Sequence, residues 1–436
     1  MRIAWVTPFH ERSAIAEFSQ RVTNELAKLA EVEIWTADDA PLLASELEMV
    51  GYRRGSKDLD ALRHHDAVVY NMGNYLGYHG AIHGVSKKYP GVVILHDRAL
   101  HHMFADMWLT GDTADPVHYI ERMGFHYGAA GVQAASEYLR GVREPVWESD
   151  EDLLRFPLYE ESIMNALGVV THSQGQARQV AAGWCGPVTS LKLPCYVDVL
   201  TRADASVRPP PGERLRLLTM GHINPNKQAH RVIGLLAADP QLAARVEYRI
   251  VGPSGGFTAY SDTLQRLVAE NADHLKVEIV DWVPDDELER EMAWADVFVN
   301  LRHPNIEGGS ASLMKQLAFG RPVLCFDSGS FGEMPPGVAI SVPTGDFLAV
   351  GVALHDLVSD ASWREGVGRK AREFAASCSE RSYAEGVLSL VEQARTASPA
   401  LRVLDLVSHE LGDLNVDGRL PVFHDIAHDF ARILDV

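Results

Sequence analysis

Residues 215–227 read Leu215-Arg216-Leu217-Leu218-Thr219-Met220-Gly221-His222-Ile223-Asn224-Pro225-Asn226-Lys227. A short apolar run stops at a glycine, an Asn-Pro-Asn turn follows, and a lysine stands at its end. An apolar run of this length bounded by turn residues reads as a buried strand. The turn residues keep the connection compact and hand the chain to a helix. A second junction of the same kind follows the apolar run Val297–Leu301. There Asn305-Ile306-Glu307-Gly308-Gly309-Ser310 opens the helical pattern Ala311 to Gly320. One junction offers a cation; the other offers a carboxylate and a glycine-rich helix start.

The same alternation runs outward in both directions. In the first half the strand candidates are Ile3–Thr7, Val32–Thr36, Ala67–Asn71, Val92–His96, Val169–His172 and Thr189–Leu193. In the second half they are Leu215–Met220, Tyr248–Val251, Val277–Val280, Val297–Leu301, Val323–Phe326 and Ala339–Val342. Apolar strands separated by amphipathic helical stretches predict parallel α/β architecture. The expectation is two doubly wound, Rossmann-like domains facing a cleft, with a short helical C-terminal extension. A stretch rich in proline, Arg202 to Glu213, reads as the boundary. It separates residues 1–205, 212–395 and the extension 396–436. Ligands of such sheets bind beyond the carboxyl ends of the strands. No GxxxxGK[ST] loop occurs, and no GxGxxG follows the first strand, so P-loop and dehydrogenase readings lack support.

With 436 residues, two domains are the natural expectation. No apolar run is long enough to span a bilayer. The start, Met1 to Pro8, reads as a buried strand, not a signal peptide. Cys185, Cys195, Cys325 and Cys378 have neither metal-ligand spacing nor a disulfide framework, so a cytoplasmic location is expected. A net charge of −19 opposes nucleic acid and anionic lipid surfaces and favours a soluble small acceptor.

Several residues carry candidate chemistry. Lys227 can neutralise a diphosphate as a point charge, or be a solvated surface lysine. Gly308 and Gly309 let backbone approach a ligand, and the helix start at Ser310 favours an anion. Ser310 as a plain cap and Glu307 as a complement to the helix dipole fit equally. In the first half, His96 and Asp97 close one strand candidate, while Asn74 and His79 follow another. All four are placed to line a cleft, with a locally bonded histidine as the plainer reading. Ser13 and Ala14 open the helix after the first strand and can set N–H groups near a phosphate.

On these residues the chain resembles the retaining GT-B glycosyltransferases, glycosyltransferase family 4, from residue 1 to about residue 395. Pro8 to Ala16 is similar to the family's N-terminal turn, with Ala14 in place of glycine. Gly73-Asn74 and Gly91 to Asp97 resemble one subgroup. Gly221 to Lys227 resembles the Gly-Arg-x-x-x-x-Lys segment, with His222 replacing arginine. Asp281-Trp282-Val283-Pro284 with Glu287-Leu288 resembles the segment beside the nucleobase. The family signature of two glutamates separated by seven residues has Glu307 first and Lys315 second. In the family the first faces the donor sugar and the second holds the ribose. Lys315 cannot accept hydrogen bonds from ribose hydroxyls, and reaches instead for a phosphate or another acid.

The resemblance implies a retaining transferase with a nucleotide-sugar donor, a GDP- or UDP-sugar, and a soluble small-molecule or saccharide acceptor. In that reading Lys227 stabilises the leaving diphosphate, Glu307 orients the sugar, and His96 contacts sugar or acceptor. Neither cofactor nor catalytic metal is required, and Asp58-Leu59-Asp60 reads as surface charge. A nucleotide-sugar epimerase or hydrolase on the same fold stays open, as does a catalytically silent nucleotide-sugar-binding protein. Asp413, Asn415, Asp417 and Gly418 partly fit a calcium loop, and His424 and His428 have metal-ligand spacing. Both read as structural. The aromatic residues Tyr119, Phe125, His126, Tyr127 and Trp147 are candidates for stacking on an acceptor or for core packing.

Overall fold

The computed structural model describes residues 1–53, 57–112, 114–206, 212–254 and 257–413. The calcium-like loop beyond Asp413, His424, His428 and the Val207–Pro211 part of the linker lie outside the described residues. The chain forms two compact units. The first comprises Met1–Lys192, Ile306–Gly309 and the C-terminal segment from Glu380; the second comprises Leu193–Asn305 and Ser310–Ser379. By contacts, therefore, the chain changes unit at Lys192–Leu193, ahead of the proline-rich stretch. It returns at Glu380, where the helix Glu380–Asp413 begins.

The first unit is built on seven parallel strands: β1 (Arg2–Val6), β2 (Glu31–Thr36), β3 (Met49–Gly51), β4 (Ala67–Met72), β5 (Val92–Leu95), β6 (Gly168–Thr171) and β7 (Val188–Ser190). Their order is β3-β2-β1-β4-β5-β6-β7. The second unit has β8 (Leu215–Met220), β9 (Val246–Val251), β10 (Lys276–Val280), β11 (Val297–Asn300), β12 (Val323–Phe326) and β13 (Ile340–Val342). Their order is β10-β9-β8-β11-β12-β13, again all parallel. Each strand candidate from the sequence falls on one of these strands. Strand β3 was not among them: its three residues lie at the sheet edge, with Met49 exposed, so they lack the apolar run that marks the others.

Helices cover both faces, which explains why central strands such as β5 (Val-Val-Ile-Leu) and β12 are apolar throughout. In the first unit the helix Ala14–Leu26 follows β1 and packs against the helix Glu380–Asp413, which also covers β6. Two polar clusters inside the second sheet are paired. The hydroxyl of Thr219 donates to the carbonyl of Val299 at 2.9 Å and lies 2.8 Å from the Tyr248 hydroxyl. Arg216 and Asp296 form a buried, two-pronged ion pair of 3.0 and 2.9 Å that joins β8 to the start of β11. Asp296 also accepts from the Arg216 amide at 3.1 Å. Removing one member of such a pair leaves an uncompensated buried charge. Asp296→Ala is therefore expected to cost about 3 kcal/mol. Urea unfolding should show one transition moved to lower denaturant, the one belonging to the second unit.

Candidate functional site

Strand order reverses at one place in each sheet, between β1 and β4 and between β8 and β11. Loops leaving such a point diverge and open a crevice for ligands. In the second unit the loops after β8 and β11 are tied together there. The amide of His303 donates to the carbonyl of Asn226 at 2.9 Å, and the Gln228 side chain donates to the carbonyl of His303 at 3.0 Å. Lys227 is buried, and its ammonium donates to the carbonyl of Met220, the last residue of β8. The cation thus sits at the carboxyl end of the strand, not out in solvent. Gly221 beside it has φ +86°, and a Cβ there would stand 2.8 Å from the Lys227 ammonium. Gly252, at the end of β9, closes on the same spot: its Cβ would lie 2.4 Å from the Gly221 carbonyl oxygen. Backbone, not side chain, lines this corner.

The loop after β11 ends in the helix Ala311–Ala318. Ser310 caps it, accepting from the Leu313 amide at 3.3 Å. Lys315 lies in its last turn, half-buried. His222 is exposed. Trp282 is 68% exposed and follows the edge strand β10, while Val283 packs inward. Gly221, His222, Lys227 and Ser310 are thus carried by the two loops at the switch point, and Lys315 by the helix that follows the second. Trp282 and Val283 stand two strands away.

In the first unit another group assembles at the carboxyl ends of β4, β5 and β6. Asn74 donates its amide to the Asp97 carboxylate at 3.0 Å. Its side chain accepts from the Met103 amide at 3.1 Å, and so serves the start of the helix His101–Leu109. Buried His79 meets the carbonyl of Asn71 at 3.1 Å. Both ring nitrogens of His96 are engaged, with Asn71 Oδ1 at 3.0 Å and His172 at 3.3 Å. The segment Ile306–Gly309 joins this group: Glu307 bridges Asp97 through the backbone, and a Cβ on Gly308 would stand 2.7 Å from the His96 carbonyl oxygen. Gln176 holds the other side, donating to the Asp97 carbonyl at 3.1 Å. Its buried Oε1 has no partner among the described residues. Ser13 occupies the N-cap position of the helix after β1 without a side-chain cap bond, and Ala14 is exposed.

Sequence reasoning missed His172 and Gln176 as members of this group. The signal for His172 was present: like His96, it is a polar residue ending an apolar strand candidate. Among the aromatic candidates, Tyr119 is fully buried, Tyr127 donates to Glu160 at 2.9 Å, and Phe125 is 49% exposed. Asp60 accepts from the Tyr89 hydroxyl at 2.6 Å. Among the described residues no three His, Cys, Asp or Glu side chains are grouped to hold a metal ion, and no helix is long and apolar enough to cross a membrane.

Residues 214–360 match the family model for glycosyl transferases group 1. Solved structures of like architecture include Anabaena Alr3699/HepE in complex with UDP. It is 14% identical, covers 89% of this chain and 100% of its own, and has a TM-score of 0.57. Sucrose-phosphate synthase from Thermosynechococcus elongatus is 15% identical over 90% of this chain and 98% of its own, with a TM-score of 0.58. AviGT4, a glycosyltransferase involved in avilamycin A biosynthesis, is 16% identical over 91% and 98%, with a TM-score of 0.53. No curated protein matches the chain in sequence. The fold is that of the GT-B glycosyltransferases.

The charges of the first-unit group have a consequence for stability. Burial pushes His79 and His172 down to about 4, against an ordinary 6.5. Their contribution is complete above the ordinary value and is lost as pH falls toward 4. Asp97 runs the other way. Burial, with Glu307 adding and the Asn74 amide opposing, pushes its carboxyl up to about 6, so its ionisation costs stability as pH rises through that value. Two histidines outweigh one carboxyl. The urea midpoint should fall from about pH 7 to about pH 5, and Asp97→Asn, which removes the opposing contribution, should steepen that fall.

Proposed function

We propose that this protein is a retaining glycosyltransferase that moves a sugar from a nucleotide-sugar to a soluble small-molecule or saccharide acceptor. The observation that carries the reading is the buried Lys227 ammonium at the β8–β11 switch point, on a loop bonded to the one that leads into a capped helix start. A cation, close-approaching glycine backbone and a helix N-terminus together suit a diphosphate. The match of residues 214–360 to group 1 glycosyl transferases supports the same reading.

In this reading Lys227 and the helix start at Ala311 hold the donor diphosphate and stabilise charge as the glycosidic bond breaks. Gly221, Gly308, Gly309 and Ser310 let backbone reach it. Glu307 accepts hydrogen bonds from the sugar, and His96 contacts sugar or acceptor. Trp282 and Val283 flank the nucleobase. Asn74, His79 and Asp97 support the acceptor side, chiefly by ordering backbone. Neither metal nor cofactor takes part. UDP is preferred to GDP as the donor base, since Alr3699/HepE structures hold UDP and UDP-glucose. Lys315 and His222, which depart from the family pattern, favour one other reading, a silent binder of the same ligand.

A thermal-shift panel of UDP, GDP, ADP and dTDP with their sugar conjugates tests the donor site. A ligand at about 100 times its Kd should add roughly 2.7 kcal/mol. We expect a shift with UDP or GDP and with their sugar conjugates; Lys227→Ala should weaken both, and Glu307→Ala the sugar conjugates, at least about tenfold in Kd. No shift with any nucleotide at millimolar concentration would sink the assignment. Binding without release of nucleotide in the presence of saccharide acceptors would move the protein to the silent reading, and an inverted anomeric product would remove the retaining mechanism.

A further inference from the structure

Strand order in the first sheet reverses between β1 and β4, so the loops after these strands diverge and open a crevice. A row of three rings joins the two loops. Tyr75 follows β4 and is 60% exposed. Its ring meets that of Tyr78 edge-on at 5.2 Å, and Tyr78 faces His10, in the loop after β1, at 6.1 Å. Both loops are tied down. The amides of Phe9 and His10 donate to the Asp38 carboxylate at 2.6 and 3.0 Å, and His10 Nδ1 accepts from the Arg12 amide at 3.1 Å. On the other side Asn74, next to Tyr75, is held by Asp97 and by the Met103 amide.

Tyr75 occupies the N-cap position of the helix Leu76–Ser86 and makes no side-chain cap bond. Serine, threonine, aspartate or asparagine is the usual choice there, because its oxygen bonds a free amide of the first turn. Gly77 stands within that first turn, where alanine is the better helix former. Its φ is not positive, so no turn requires a glycine. What it provides is room: a Cβ would stand 2.6 Å from Tyr75 Cε1 and 3.0 Å from Tyr75 Cζ. The phenol ring therefore lies against bare backbone. Both departures weaken the helix start, and both serve the same ring, which is held in place with more than half of its surface in water. Local rules are broken in this way where a site calls for it.

We propose that Tyr75, seated on Gly77 and steadied by Tyr78, is a stacking platform for a pyranose ring of the acceptor. A pyranose carries C–H groups on its faces and hydroxyls around its rim. An exposed phenol matches both, with an apolar face to cover the C–H groups and a hydroxyl at its edge. A ring already held in place loses little freedom on binding. Three rings are too few for a protein partner, which would bury roughly 800 Å² on each side. That the bound sugar is an acceptor rests on the transferase reading above; that a pyranose stacks on Tyr75 does not.

Saturation-transfer NMR reads the contact directly. The probes are methyl β-glucopyranoside, maltose and cellobiose at millimolar concentration, with UDP present and absent. We expect the axial hydrogens of one ring face to be saturated more than those of the other, and Tyr75→Phe to keep this pattern. Tyr75→Asn restores a cap, and the methyl group of Gly77→Ala pushes the ring aside. Each should weaken saccharide affinity roughly fivefold to tenfold, while the melting temperature holds or rises. Should Tyr75→Asn not fold, Gly77→Ala decides. Saturation unchanged in these two variants, or no saturation of any probe by the wild type, would overturn the proposal. Saturation lost together with a lower melting temperature in both would also overturn it, because the rings would then be packing that holds the fold. The donor reading is scored separately. Its nucleotide thermal shift should be the same in wild type and all three variants, and absence of that shift leaves the saccharide result standing.

Discussion

Two all-parallel sheets, each covered by helices on both faces, set the terms for everything else in this molecule. Such a sheet spends its apolar side chains on its own faces and satisfies its peptide groups along the ladder. Chemistry can then reside only where strands end. In both sheets the strand order reverses once, and the loops diverge there, which leaves a crevice that neither face can fill. The Lys227 loop sits at the second of these points, and the first-unit group sits at the carboxyl ends of β4, β5 and β6, because the sheet interiors exclude such residues.

The two carboxyl ends differ in charge. In the second unit a lysine is drawn in beneath glycine backbone and held by a strand-terminal carbonyl. Its positive charge is fixed before any anion arrives, so little reorganisation is needed on binding. In the first unit burial lowers the pKa of His79, His96 and His172, so these rings bring no fixed positive charge to that end at neutral pH. A carboxyl pair, Asp97 and Glu307, borders the neutral group.

Much of this was legible in the chain. Short apolar runs located twelve of the thirteen strands among the described residues, and the exception, β3, is a three-residue edge. The junctions at Gly221 to Lys227 and Glu307 to Ser310 were visible as glycine-rich strand-to-helix turns. Less visible was the division of labour among the polar residues. Asn74 looks like an acceptor-site residue by position, yet its side chain is committed to the helix start at Met103. Gln176 gave no signal, since a buried amide inside a helix looks like any other.

The sequence by itself determined nearly all of the strand segments and the residues of interest near several of their ends, because those follow from local pattern and turn chemistry. Only the tertiary structure decided which ends are neighbours. His96 and His172 come together because β5 pairs with β6, and Asp97 meets Glu307 because a short loop returns from the other half of the chain. Neither pairing has a local cause: each depends on strand order and on where distant segments return, and on that placement rest the neighbours of His96 and the raised pKa of Asp97.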